Sequence, residues 1–153
     1  MAELLTVTRT QVAQTAGTKA PAASFNRMRV AVIETPAAYA APAQNDTAGT
    51  SIVLPQGSRL LLPVTVSCAA GTASSTLSVG LRDPKTKMAI DATAVVNAAA
   101  ISAASTSQVN TGTKTITGQT YLLPQDCELY LTFGGAAGAA NQAIRVEVPF
   151  VAP

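Results

Sequence analysis

The sequence predicts an all-β chain, an antiparallel β-sandwich or jelly roll, and three observations carry that prediction. Apolar and polar residues alternate over five short segments, the period of a half-buried strand. Gly, Pro, Asn and Asp punctuate the chain between those segments. A single stretch, residues 91–105, reads as helical. At 153 residues the length suits one domain with a usable core. We divide it into an extended N-terminal arm, residues 1–24, and a β-sandwich domain, residues 25–153.

The arm is rich in Thr, Ala and Gln, is broken by Gly17 and Pro21, and shows no periodicity. A free segment of this kind frays unless its own domain, a sister subunit or another protein holds it. Strand patterns begin at Phe25. In 27–34, Met28, Val30 and Val32 share one face and are expected in the core, opposite Arg27 and Arg29. Residues 35–50, with Pro36, Pro42 and Gly49, read as a loop, and 51–54 as a short apolar strand. Pro55-Gln56-Gly57-Ser58 is a turn. In 59–67, Leu60, Leu62, Val64 and Val66 face inward. Pro63 has no N–H for a ladder, so this strand is expected at an edge or with a bulge.

Residues 75–82 place Leu77, Val79 and Leu81 inward, and Asp83-Pro84-Lys85-Thr86 fits a type I turn. Asp91 is a plausible N-cap for a short helix over 91–105; the other reading is an Ala-rich loop. Residues 106–118 read as polar turns and 119–123 as a strand. Two strands follow, with Leu129, Leu131 and Phe133 inward on the first and Ile144, Val146, Val148 and Phe150 inward on the second. The small-residue stretch 134–141 is expected to join them as a hairpin loop.

Composition removes most catalytic chemistry. There is no histidine, hence neither the commonest general base near neutral pH nor a Ser-His-Asp or Cys-His site. No Gly-Lys dipeptide occurs, so there is no P-loop. Gly134, Gly135 and Gly138 lie between two strands and open no helix, the wrong setting for a dinucleotide loop. Cys68 and Cys127 are too far apart in sequence for a CxxC motif. They read as two buried thiols, or as a pair if neighbouring strands bring them together.

The carboxylates Asp83, Asp91, Asp126 and Glu128 sit beside turns, and no calcium-loop pattern occurs. With no Trp, three Tyr and three Phe, the chain offers little aromatic platform for sugars. We expect no enzyme activity, no cofactor and no metal. No long apolar run suggests a membrane span. The opening MAELLTVTRT lacks the basic start and apolar run of a signal peptide, so Asn45-Asp46-Thr47 reads as an ordinary loop and synthesis is expected in the cytoplasm.

Charge is low, 12% of residues against roughly 25% in ordinary domains, and such a neutral surface leaves area for other chains to cover. The first 30 residues carry Arg9, Lys19, Arg27 and Arg29 against Glu3, a balance of +3, whereas the whole chain carries +2. These four cations are candidates for seating the arm on an acidic protein surface. No aromatic residue interleaves with the charges before Phe25, which speaks against nucleic acid as the partner.

Leu54-Pro55-Gln56-Gly57-Ser58-Arg59-Leu60 resembles the I-P-x-G-A-R-I opening of small tailed-phage virion proteins. Residues 75–83, Ser-Thr-Leu-Ser-Val-Gly-Leu-Arg-Asp, resemble the T-T-L-x-V-G-x-x-D strand that follows it in that group. The Ala-rich segment 91–105 comes next, as it does there. Residues 126–135 are similar to the closing D-x-E-L-x-L-T-x-G-G strand, and a small-residue loop and a last alternating strand complete the order. Pro149, inside the last strand, and Cys127 depart from the pattern. The resemblance covers about residues 50–151. It implies a capsid decoration or cement protein, or another head-associated virion protein, with a jelly-roll-like sandwich. It also implies a trimer on the capsid surface, with the major capsid protein as partner. A carbohydrate- or receptor-binding sandwich on a virion fibre is the alternative.

Overall fold

The computed structural model describes residues 28–116 and 121–153. The expected arm, with Arg9 and Lys19, lies outside them, and so does Arg27. Among the described residues nine strands and one short helix follow in chain order. They are β1 (Met28–Glu34), β2 (Thr47–Leu54), β3 (Arg59–Leu60), β4 (Val64–Cys68), β5 (Thr76–Arg82), β6 (Ala89–Ala100), β7 (Ser105–Val109), α1 (Thr113–Ile116), β8 (Cys127–Gly134) and β9 (Ile144–Val151).

All pairings are antiparallel. One sheet runs β1-β9-β4-β7, with β3 pairing β9 beside β4, and the other runs β2-β8-β5-β6. With β3 and β4 taken as one interrupted strand, this is the eight-strand, two-Greek-key order of a jelly roll. The alternating rows of both sheets meet in one core. Leu77, Val79, Leu81, Leu129, Leu131 and Phe133 come from one sheet, and Leu60, Val64, Val66, Ile144, Val146, Val148 and Phe150 from the other.

β1 departs from expectation. Ala31 and Ile33 are buried, whereas Met28, Val30 and Val32 are 63%, 48% and 39% exposed. Both faces of this strand carry apolar residues, so alternation alone does not choose between them. The register chooses: Ala31 lies opposite Val148 and Ile33 opposite Val146, on the inner face of β9, while Val30 meets Pro149 and Val32 meets Glu147. Leu62 is also not in the core, at 40% exposure. The strand breaks between β3 and β4 around Pro63, as its missing donor suggests, and the alternation is lost there. Pro149 is accommodated inside β9: its carbonyl accepts from the Leu61 N–H at 2.9 Å.

The expected helix over 91–105 is a strand, β6, and the helical turn lies later, at α1. β6 pairs β5 with several shifts of register, so that Leu81 faces Asp91 while Val79 faces Val96. The intervening Ala94 and Val95 are wholly buried. Asp91 does cap, but within this irregular strand: its Oδ1 accepts from the Thr93 amide at 2.9 Å and its Oδ2 from the Thr113 hydroxyl at 2.5 Å. Gly80 makes the detour possible, because a Cβ there would lie 2.7 Å from Ala92 Cα. Residues 106–109, expected as turns, lie with Ser105 in β7 at the edge of the first sheet. The stretch 134–141 is no hairpin; it carries the chain from β8 in one sheet to β9 in the other. Of the strand expected over 119–123, the described part contributes one bridge, Leu122 with Arg59.

Candidate interaction surfaces

Among the described residues the buried carboxylate Glu128 pairs within the molecule, while Arg59 Nε and Ser58 Oγ are buried with no hydrogen-bond partner. Glu128, 1% exposed, sits on the outward row of β8. Its Oε1 accepts from Arg82 Nη2 at 2.9 Å and its Oε2 from Lys87 Nζ at 2.5 Å. The Ser51 amide adds a contact at 3.3 Å. Above all the Arg82 hydrogen bonds, against the cost of burial, and then Lys87 and Ser51, pull the carboxyl down from 4.5 to about 2. A carboxylate held this way is a poor proton acceptor and reads as a structural anchor. The Tyr130 ring lies under the Arg82 guanidinium, 5.4 Å from its carbon.

Asp83 and Asp126 do turn work, as their positions suggest. Asp83 accepts from the Lys85 and Thr86 amides at 2.7 and 2.9 Å, and Asp126 from the Gln56 amide at 2.8 Å. Among the described residues no group of three His, Cys, Asp or Glu side chains is placed to hold a metal. Cys68 and Cys127 are free and buried. They stand in different sheets, Cys68 at the end of β4 and Cys127 at the start of β8.

At one end of the sandwich the four connections converge on Gln142. Its carbonyl accepts from the Thr35 hydroxyl at 2.8 Å and from the Tyr39 hydroxyl at 2.7 Å. Its side-chain Nε2 donates to the Ala69 and Ile101 carbonyls, both at 2.7 Å. Nothing in the residue pattern distinguishes this glutamine, which lies just past a run of Gly and Ala.

What is left facing outward is a surface. On the outer face of the first sheet the exposed row Met28-Val30-Val32 of β1 lies beside half-buried Val151 and buried Pro149 of β9. The row ends in charge. Arg145 binds Glu34 at 2.6 Å and Glu147 at 2.8 Å, so two exposed carboxylates share one cation. Arg29 is exposed on the opposite row of β1. Beside the strand, between the edges β1 and β2, lies a cleft of about 470 Å³ lined by Val32, Ile33, Tyr39, Ile52 and Phe133, with Thr35 and Thr50 among its polar groups.

The four sheet edges are unlike one another. β2 shifts register between Gly49 and Val53, with Ser51 at φ 58°. β6 is irregular along its length and packs against α1. β7 is five residues long and polar up to its last residue. β1 keeps an unbroken register along its seven residues, and its outer row is apolar from Met28 to Val32. Edges are usually blunted by bulges, charge or shortness, and among the described residues β1 has the least of this protection.

No protein-family model matches the chain, and no curated protein matches it either. Solved structures do. A chain of the cyanophage Pam1 capsid asymmetric unit is similar over 84% of this chain and 86% of its own, with a TM-score of 0.60 and 20% identity. A chain of the capsid of Ralstonia phage GP4 is similar over 83% of this chain and 85% of its own, with a TM-score of 0.61 and 16% identity. The likeness is one of fold, and it spans more than four-fifths of the chain.

Proposed function

We propose that the protein is a structural, non-catalytic component of a phage virion that decorates or cements the capsid surface by bridging capsomers. The observation that carries this reading is the shared jelly roll, matched over more than four-fifths of both chains with proteins from two phage capsids. Two features support it. The Arg82–Glu128 pair is closed off internally, and among the described residues the least protected part is a largely apolar sheet edge suited to contact with another chain. The major capsid protein is the expected partner, with the protein itself a homo-oligomer, a trimer by resemblance. Each contact need be only modest, because many copies on a symmetric lattice reinforce one another.

The arm, residues 1–24, together with Arg27 and Arg29, is assigned to attachment. An extended arm of this length spans roughly 80 Å at about 3.3 Å per residue, enough to cross a neighbouring subunit. The deciding experiment is a quantitative gel of purified virions. Decoration requires copy numbers on the scale of the major capsid protein; a handful per particle overturns it in favour of a fibre component. Deleting residues 1–24 should leave the sandwich folded and weaken binding to shells, and unchanged binding removes the arm from the reading.

A further inference from the structure

We infer that the hollow beside Arg59 is a docking site for a single carboxylate, an Asp or Glu side chain that the capsid partner carries on an otherwise apolar surface. Naming the partner rests on the reading above; the site itself stands on the chemistry of this chain.

Arg59 is a cation without a counterion. Among the described residues it takes part in no ion pair, unlike Arg82, Lys87 and Arg145, and its Nε is buried without a hydrogen-bond partner. It lines a hollow of about 230 Å³ with Leu60, Leu61, Leu62 and Thr115. Thr115 adds no charge, and its hydroxyl already donates to the Gly112 carbonyl at 3.0 Å. A guanidinium with one donor dry and no opposite charge nearby is poorly compensated. An anion therefore gains more from meeting it than from meeting a cation in open water.

The surroundings define the anion. Arg59 lies directly opposite Val151 of β9 on one side and Leu122 on the other, and opposite residues of an antiparallel pair share a face. Leu122 is 51% exposed, and Leu62, on the wall of the hollow, 40%. The cation is thus flanked by apolar side chains open to solvent, the setting of an arginine anchor at a protein interface. Among the described residues no second Lys or Arg lines the hollow. A doubly charged phosphate would bring one charge too many, whereas a carboxylate matches the guanidinium in charge and in its planar, two-pronged geometry. A free small acid would leave Leu62 and Leu122 wet. A carboxylate set among the apolar side chains of another protein covers them.

The tests use the full-length protein. An arginine kept for docking adds nothing to the isolated fold, so Arg59→Met should melt no lower than the natural protein. A clearly lower melting temperature makes Arg59 a structural group and overturns the inference. The Arg59 Nε–H signal is then followed by NMR during titrations at constant ionic strength. Acetate should shift it more than chloride does. No difference overturns anion docking, and an equal or larger shift with inorganic phosphate overturns the choice of carboxylate. Shells assembled without the protein supply the third measurement. Arg59→Met should bind them at least about tenfold more weakly than the natural protein, with Arg59→Lys between the two. On shells carrying Arg59→Lys, a zero-length carbodiimide should join position 59 to an Asp or Glu of the major capsid protein; a link only to another copy of this chain, or none, overturns the named partner. Unchanged binding by Arg59→Met, where the natural protein binds, sinks the inference and leaves the capsid reading standing. A natural protein that binds no shell sinks that reading and the named partner with it, while the acetate shift still decides the site.

Discussion

Arg82 meets Glu128 at two points on the outer face of the second sheet: Nη2 to Oε1 at 2.9 Å and Nε to Oε2 at 3.1 Å. The pair bridges neighbouring strands β5 and β8, whose residues 82 and 128 are directly opposite in register. It is fixed further by Lys87 from the β5–β6 turn and by the Tyr130 ring.

The pair makes stability depend on acid. The Glu128 carboxyl is depressed from 4.5 to about 2 in the folded state, so its contribution is complete above 4.5 and is lost as pH falls from there towards 2. A shift of that size corresponds to roughly 3 kcal/mol. Denaturant titrations between pH 5 and pH 2 should show this loss in the natural protein. Glu128→Gln should be less stable at pH 7 and lack this part of the pH dependence. Equal pH slopes in the two proteins would refute the assignment.

Gly49 leaves the space that the Arg82 guanidinium occupies: a Cβ there would overlap Arg82 Nη2. The guanidinium has no easy retreat, being held by Glu128 and stacked on Tyr130. Gly49→Ala should therefore cost about 1–3 kcal/mol. Its effect should not add to that of Arg82→Ala, because the second change removes the atom in the way. The double variant should fall short of the sum by about 1 kcal/mol, measured by chemical unfolding. Strict additivity would mean that Gly49 is needed for another reason.

Gln142 ties loops in two separate ways, and one substitution separates them. Gln142→Ala removes the donors to Ala69 and Ile101, which leaves two carbonyls to find new partners at about 1–3 kcal/mol. Its backbone carbonyl still receives Thr35 and Tyr39. Hydrogen exchange should accelerate in 69–75 and 101–104 while the β1–β2 connection keeps its protection. Loss of protection in all three segments would point to collapse of the whole end.

The Cys127 thiol is pushed up from its ordinary value first by burial and then by the Asp126 carboxylate. Its reactive thiolate is scarce and enclosed, so a thiol reagent at pH 8 should leave Cys127 unmodified in the native protein and label it on denaturation. Labelling at the rate of a free thiol would show that the start of β8 opens readily.

The central strands were legible because each has one strongly apolar row and one polar row. Val64 and Val66, Leu77 to Leu81, Leu129 to Phe133 and Ile144 to Phe150 have no second way to face. β1 was legible as a strand and misread in orientation, since Val30 and Val32 look more like core than Ala31 does. Only the register with β9 decides, and register is a long-range property. β6 was misread because alanine favours helix locally, and pairing with β5 overrides that preference. The charged anchor at Glu128 carries a weak signal, a carboxylate on the outward row of a strand. The role of Gln142 carries none, because its four partners come from three distant connections. Of the four basic residues in and just after the arm, Arg9, Lys19 and Arg27 lie outside the described residues, and Arg29 is exposed on β1.

The position of β9 sets a timetable for synthesis. This final strand lies in the middle of its sheet, between β1 and β4, which hold no ladder to each other without it. While the ribosome is still making residues 144–151, β1 lacks the strand it pairs with among the described residues. The surface it later presents therefore does not exist on an unfinished chain. Nascent copies lack the platform on which other copies or a shell could dock, and assembly is deferred until translation has passed the last strand.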